Sequence, residues 1–260
     1  MIDFKEYIHD LRTKSIEEIK PYIERSNVKL GLEVGAGDGF QSRLLVNYLE
    51  KLVVTEYSQE RLEQIPNEKI KYYICDAEKL EDQLAFSSFD IIFSSHLLEH
   101  LPHAERFIVS CNKLIAEDGA IIHVVPSNWY AFFRLLFWYP AILVRFKRKL
   151  ARKKSFNLLS KPESITNNNL KTSYKPRIKL FEYLFPRAHG VSENVFKEYL
   201  SMRKKSWTKL FTENGLKVER IMKGSCFSGY GFGFEKSKRL LSRIGMACEY
   251  IYILKRSKND

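Results

Sequence analysis

The stretch Leu30-Gly31-Leu32-Glu33-Val34-Gly35-Ala36-Gly37-Asp38-Gly39 joins an apolar run, Val28–Val34, to a helical pattern over Gln41–Leu49. Glycines at such a turn let the backbone approach a ligand closely, and the helix that follows presents unpaired N–H groups to it. A loop of this kind also fits dinucleotide binding. Three details shift the balance. The spacing is GxGxG rather than GxGxxG. Glu33 precedes the first loop glycine by two residues, where its charge would repel phosphate. Glu56 closes the next apolar run, Lys51–Glu56, where an acid can accept both ribose hydroxyls.

Outward from this loop, short apolar runs alternate with helical patterns. Residues 3–26 have apolar positions at helical spacing, from Phe4 to Ile23. Ser58–Ile65 reads as a helix stopped by Pro66. Ile70–Cys75, Phe89–Ser94 and Ala120–Val125 read as strands, with a helix over Ala104–Ile115 between the last two. Strands alternating with helices predict an α/β fold, a doubly wound and mostly parallel sheet of seven strands covered on both faces. The last two strands are Leu216–Met222 and Glu249–Leu254, preceded by helices over Val191–Glu213 that end at Asn214-Gly215. The pattern breaks after Pro126. The predicted organisation is a cofactor-binding part over 1–126, a basic and aromatic insertion over 127–190 after the fifth strand, and a return over 191–260 that completes the sheet.

On these residues the chain resembles the class I S-adenosylmethionine-dependent methyltransferases, in particular the small-molecule group called type 11. The resemblance covers about residues 28–126 and the last two strands. It rests on Glu33-Val34-Gly35-Ala36-Gly37-Asp38-Gly39, Val54-Thr55-Glu56-Tyr57, Cys75-Asp76-Ala77-Glu78-Lys79-Leu80, the run Phe89–Leu101 containing Ser95-His96-Leu97-Leu98-Glu99-His100, and Leu114–Ala120. The usual proline is absent from the last of these. The resemblance implies S-adenosyl-L-methionine as cofactor, with Glu33, Gly35, Ala36, Gly37 and Gly39 along its methionine part and Glu56, followed by Tyr57, at its ribose. It sets Asp76 and Ala77 at the adenine, and Ser95 and His96 beneath the cofactor. The ligand is a sulfonium zwitterion without phosphates, so an acid-lined pocket is tolerable. No metal is implied.

Two histidines are candidate acceptor-site residues. His96 is either a general base near the methyl group or a pocket-lining residue. His189 stands in a loop between Pro186 and Gly190. His100 reads as structural and His123 as packed within a strand.

The charge locates a further feature. Residues 127–190 hold 14 Lys/Arg and two acids, while the rest of the chain holds 29 bases and 29 acids. All the excess charge therefore belongs to one segment, which points to a local anionic partner. Within it the aromatic stretch Trp129–Phe146 runs into a basic stretch ending at Lys154. Pro140 and the flanking arginines leave too few uncharged residues for a membrane span. The stretch reads as a lid over the active site or as an interfacial segment over 129–154 on an anionic membrane surface. Nucleic acid is disfavoured, since no RNA-binding module is recognisable. The expected acceptor is a small or lipid-linked molecule, methylated at an oxygen such as a glycan or quinone-like hydroxyl. An RNA methyltransferase and a catalytically silent scaffold of the same fold stand as alternatives. The four cysteines form no CxxC pair, and the charged N-terminus has no apolar core of a signal peptide. Both readings predict a cytoplasmic protein, peripheral on the inner membrane face if the interfacial reading holds.

Overall fold

The computed structural model describes residues 4–24, 28–84, 88–142, 188–226, 240–241 and 245–257. Five apolar runs form strands β1 (Leu30–Val34), β2 (Lys51–Glu56), β3 (Ile70–Ile74), β4 (Phe89–Ser95) and β5 (Ile115–Pro126). The C-terminal part adds β6 (Leu216–Lys223) and β7 (Glu249–Arg256). Together they make one seven-stranded sheet in the order β3-β2-β1-β4-β5-β7-β6. Strands β1 to β5 are parallel, with Leu30 opposite Lys51 and Gly31 opposite Ile91. Strand β7 runs antiparallel between β5 and β6. The fold is thus the expected doubly wound, mostly parallel α/β fold, and its sheet is mixed.

The helices are α1 (Phe4–Ile23), α2 (Phe40–Leu45), α3 (Leu80–Leu84), α4 (Ala104–Leu114), α5 over residues 128–142, α6 (Val195–Ser201) and α7 (Lys204–Glu213). Alternation along the strands supplies an apolar layer to each face. Ile91, Phe93, Ile122 and Val124 pack with Ile19 and Ile23 of α1 and Leu45 of α2. Ile92, Ile121 and Val125 pack with Phe107 and Ile108 of α4 and Trp207 and Phe211 of α7. Each such fully buried side chain contributes about 1.5–3 kcal/mol. His123 lies inside this second layer between the rings of Phe107 and Phe211, bonded to Ser94 Oγ through Nδ1 at 2.8 Å. Gly215 takes the left-handed conformation, φ 78°, that ends α7.

Some expectations need correcting. Ser58–Ile65 forms no helix. Only Leu62 of that stretch is buried, and one apolar anchor does not hold an amphipathic turn against a sheet. The helix expected over Gln41–Leu49 is α2, which gives way to a 3₁₀ turn at Val46–Tyr48. Strand β5 starts at Ile115, ahead of the expected Ala120, because Ile115 pairs with Phe89 across a register irregularity before Ile91 meets Ala120. Of the insertion, residues 143–187 lie outside the described residues, and so does the basic run 145–154.

Strand order reverses between β1 and β4, and in open α/β sheets the crevice beyond the carboxyl ends of such strands is where ligands bind. That crevice holds the glycine loop.

Candidate active site at the switch point

The loop after β1 is built from its backbone. Gly35 and Ala36 donate N–H bonds to Thr55 O at 2.9 and 3.1 Å, which ties the loop to β2. Gly37 has φ 60° and donates its N–H to Glu56 Oε2 at 2.8 Å. Glu56 Oε1 accepts the Ser58 N–H at 3.3 Å, so backbone on both sides orients this carboxylate. Asp38 reaches the other way. It accepts Arg12 Nη1 at 2.8 Å and bonds His9 Nε2 at 3.0 Å, fastening α1 over the loop. Burial raises the Asp38 carboxyl, but these partners outweigh it and hold the group below its ordinary range.

A cavity of about 740 Å³ opens here. Gly35, Gly37, Glu56, Tyr57, Asp76, Ala77, Ser95, His96 and His189, nine of the residues singled out from the sequence, line it together. Asp76 accepts the Glu78 N–H at 3.0 Å and so caps the turn that follows β3. Glu33, Ala36 and Gly39 do not reach the cavity wall. Leu32 and Val34 point to the α4 side of the sheet, so Glu33 points to the α2 side and is buried there. Its Oε2 accepts Ser42 Oγ at 2.5 Å, and burial pushes its carboxyl up to about 7 despite that bond. Gly39 caps α2 with φ 70°, and Ala36 packs in the core.

The other end of the cavity is a knot of histidines and acids. His96 sits just after β4 at φ 52°, a left-handed conformation that side chains rarely adopt. Its Nε2 bonds Glu249 Oε2 at 3.1 Å and its Nδ1 bonds Glu99 Oε1 at 3.3 Å. Burial alone would lower its pKa, but bonds to two carboxylates and their charges carry it to about 10. Both ring nitrogens are thus engaged by carboxylates, and the ring lines the cavity. His189 is the opposite case. Burial brings it down to about 4, against the attraction of Glu99, and it stays neutral above that pH. Its ring meets His100 edge-on at 4.7 Å between centroids and Tyr130 at 5.5 Å.

The insertion's two described ends close this region. The Glu198 carboxylate, 0% exposed, pairs with Arg134 of α5 and accepts the His189 N–H at 3.1 Å through the same oxygen, Oε2. Val191 donates to Glu99 O at 3.0 Å. Between them stands Gly190, at φ 67°, where a Cβ would collide with that carbonyl. Sequence reasoning missed Arg12 and Ser15 of α1, Tyr130, and Glu249 as cavity residues. Glu249 gave only the weak signal of an acid opening an otherwise apolar strand. It is buried because Ser15 Oγ and Ser225 N–H both bond its Oε1, at 3.2 and 3.1 Å, while His96 takes Oε2.

The donor set suits a phosphate-free nucleoside. Carboxylates of Glu56 and Asp76 line one end, and no atom lies within 4 Å of where a Cβ on Gly37 would stand. This lining fits S-adenosylmethionine, and Glu56, Asp76, Ala77 and the Gly35–Gly37 backbone are the residues that would hold it.

This strand order is the α/β fold of the class I S-adenosylmethionine-dependent methyltransferases. Residues 32–123 of the chain match the family model described as a methyltransferase domain. The mouse (Mus musculus) mitochondrial ubiquinone biosynthesis O-methyltransferase is 23% identical over 124 residues, which cover 44% of this chain and 33% of that protein. The matched region spans about a third of the length of the curated relatives. Among solved structures, an S-adenosylmethionine-dependent methyltransferase from Mesorhizobium loti superposes with a TM-score of 0.55 at 13% identity, over 95% of this chain and 100% of that one. The magnesium protoporphyrin IX methyltransferase of Synechocystis does so with a TM-score of 0.51 at 12% identity, over 99% and 89%. These likenesses concern the fold.

Proposed function

We propose that the protein transfers a methyl group from S-adenosylmethionine to a hydroxyl of a small or lipid-linked acceptor. The observation that carries this reading is the single cavity with two unlike ends. One end is glycine backbone with Glu56 and Asp76, and the other is Tyr130, His96, His100 and His189. Bound S-adenosylmethionine supplies a methyl group already activated by its positive sulfur. The chain must then mainly align an acceptor. Tyr130 and His189 come from the two ends of the insertion, so the acceptor end is where the insertion can act on specificity. A matching relative named for O-methylation supports an oxygen acceptor. The test is incubation of a metabolite extract with cofactor labelled in its methyl group, followed by partition between organic and aqueous phases. Label in small organic-soluble or aqueous products supports the reading. Label confined to RNA, or cofactor binding without transfer to any fraction, overturns it.

A second reading concerns place. No helix among the described residues is long and apolar enough to cross a membrane. Helix α5 nevertheless exposes Phe132, Leu136 and Tyr139, 43%, 51% and 47% accessible, at the spacing of one helical face. The sequence that follows it carries the strongly basic run 145–154. Aromatic side chains favour the headgroup zone and basic ones are attracted to anionic lipid. This supports peripheral attachment to an anionic membrane surface through residues 129–154.

A further inference from the structure

We propose that Glu99, His100 and His189 bind a divalent metal ion at the acceptor end of the cavity. The inference deepens the reading above only in what the ion does there. The site itself stands on geometry. One ligand atom from each of the three residues lies within 4.8 Å of the others. Nε2 of His100 and Nε2 of His189 face the same oxygen, Glu99 Oε1, at 3.9 and 4.0 Å. Neither distance is a hydrogen bond. Ligands at about 2.0–2.1 Å from a tetrahedral ion stand about 3.3 Å apart, so the two histidine nitrogens need to close on Glu99 Oε1 by less than about 1 Å and on each other by at most about 1.5 Å.

A second observation points the same way. The Glu99 side chain is 97% buried by its 3% exposure, and Oε2 has no hydrogen-bond partner among the described residues. An unsatisfied buried carboxylate oxygen is costly, and a cation held by both oxygens of the Glu99 carboxylate removes that cost. The surroundings also hold the carboxylate in place. His96 fixes Oε1 from one side while Glu249 fixes His96 from the other. The bond from Val191 to Glu99 O brings His189 to Glu99 from far along the chain, through a Gly190 turn that accommodates no side chain.

Two imidazoles and one carboxylate suit zinc, iron(II), cobalt(II) or manganese better than magnesium or calcium. His100 and His189 are 45% and 33% exposed and line the cavity, so coordination positions on that side stay open. There an acceptor oxygen can bind. A hydroxyl on the ion gives up its proton to water more readily, as metal-bound water does.

The test uses the intact chain and cobalt(II) alone, followed by absorption in the visible and by calorimetry. The expected result is one equivalent bound to wild type, with d–d bands of a low-coordinate N/O site. His189→Ala and His100→Ala should each weaken binding at least tenfold. His103→Ala, an exposed neighbour outside the cluster, should leave it unchanged. Cobalt(II) failing to bind, or binding equally to His189→Ala, overturns the proposal. So does equal loss in His103→Ala. Binding of S-adenosylhomocysteine is measured on the same samples without metal. Its presence with no cobalt site refutes the ion alone, and its absence refutes the cofactor reading instead.

Discussion

Replacing Glu33 with Gln should make the protein more stable above neutrality and change how stability depends on pH. Glu33 is 2% exposed, and the Ser42 hydroxyl and more distant Arg12 do not offset the loss of water around its charge. Its carboxyl therefore rises from 4.5 in the free side chain to about 7 in the fold. A raised folded pKa means that the native state holds the proton more tightly than the unfolded chain. The contribution is fully present below pH 4.5 and is lost as pH rises through about 7. At about 1.4 kcal/mol per unit, the loss is about 3 kcal/mol. Gln cannot ionise and keeps an oxygen for Ser42. Urea unfolding of both proteins from pH 4 to 8, followed by tryptophan fluorescence, gives the difference directly. His123 titrates in the opposite sense, since burial lowers it to about 3, but it is common to both proteins and cancels. The Gln variant should gain about 3 kcal/mol on wild type between pH 4 and pH 8, with most of the change from pH 5 to 7. A flat difference, or one that falls with pH, would refute the assignment of Glu33 as a charge buried without adequate compensation.

Arg134→Met should lower stability by about 3 kcal/mol or more at pH 8, because it leaves the fully buried Glu198 without its cation. The loss should shrink at pH 5, where Glu198 can take up a proton, and equal losses at both pH values would contradict this. Glu56→Gln should weaken S-adenosylhomocysteine binding at least tenfold by calorimetry, about 1.4 kcal/mol, and unchanged affinity would remove the ribose role. Sedimentation with vesicles should show binding to anionic but not neutral lipid. That binding should be lost when Lys147, Arg148, Lys149, Arg152, Lys153 and Lys154 become Gln, and should fall with salt. Equal partition onto both vesicle types would refute the electrostatic part of the membrane reading.

The parts legible in the sequence were those carried by local pattern. Strand runs such as Lys51–Glu56 and the glycine loop announce themselves by alternation and spacing, because each is decided by its own residues and a buried face. The run Ser58–Ile65 misled because helical spacing was present while a surface for it to pack on was not. The acids were the least legible. Glu33 stands one residue before the end of β1 and Glu56 ends β2, yet Glu33 turns away from the cavity while Glu56 opens on it. Alternation along a strand decides which, and only the sheet's two faces reveal the sense. Glu249, Glu198 and the Asp38–Arg12 pair depend on partners brought together from opposite ends of the chain. No periodicity foretells such meetings.

The double use of Glu198 has a consequence for how such a protein can change. A single carboxylate gathers the chain where it leaves the sheet, at Arg134, and where it comes back, at His189. The span between these anchors is closed like a loop on a clasp, and the entropy of closure grows only slowly with the length of what it encloses. A change in the length of that span therefore costs little closure entropy, and the strand register does not depend on it.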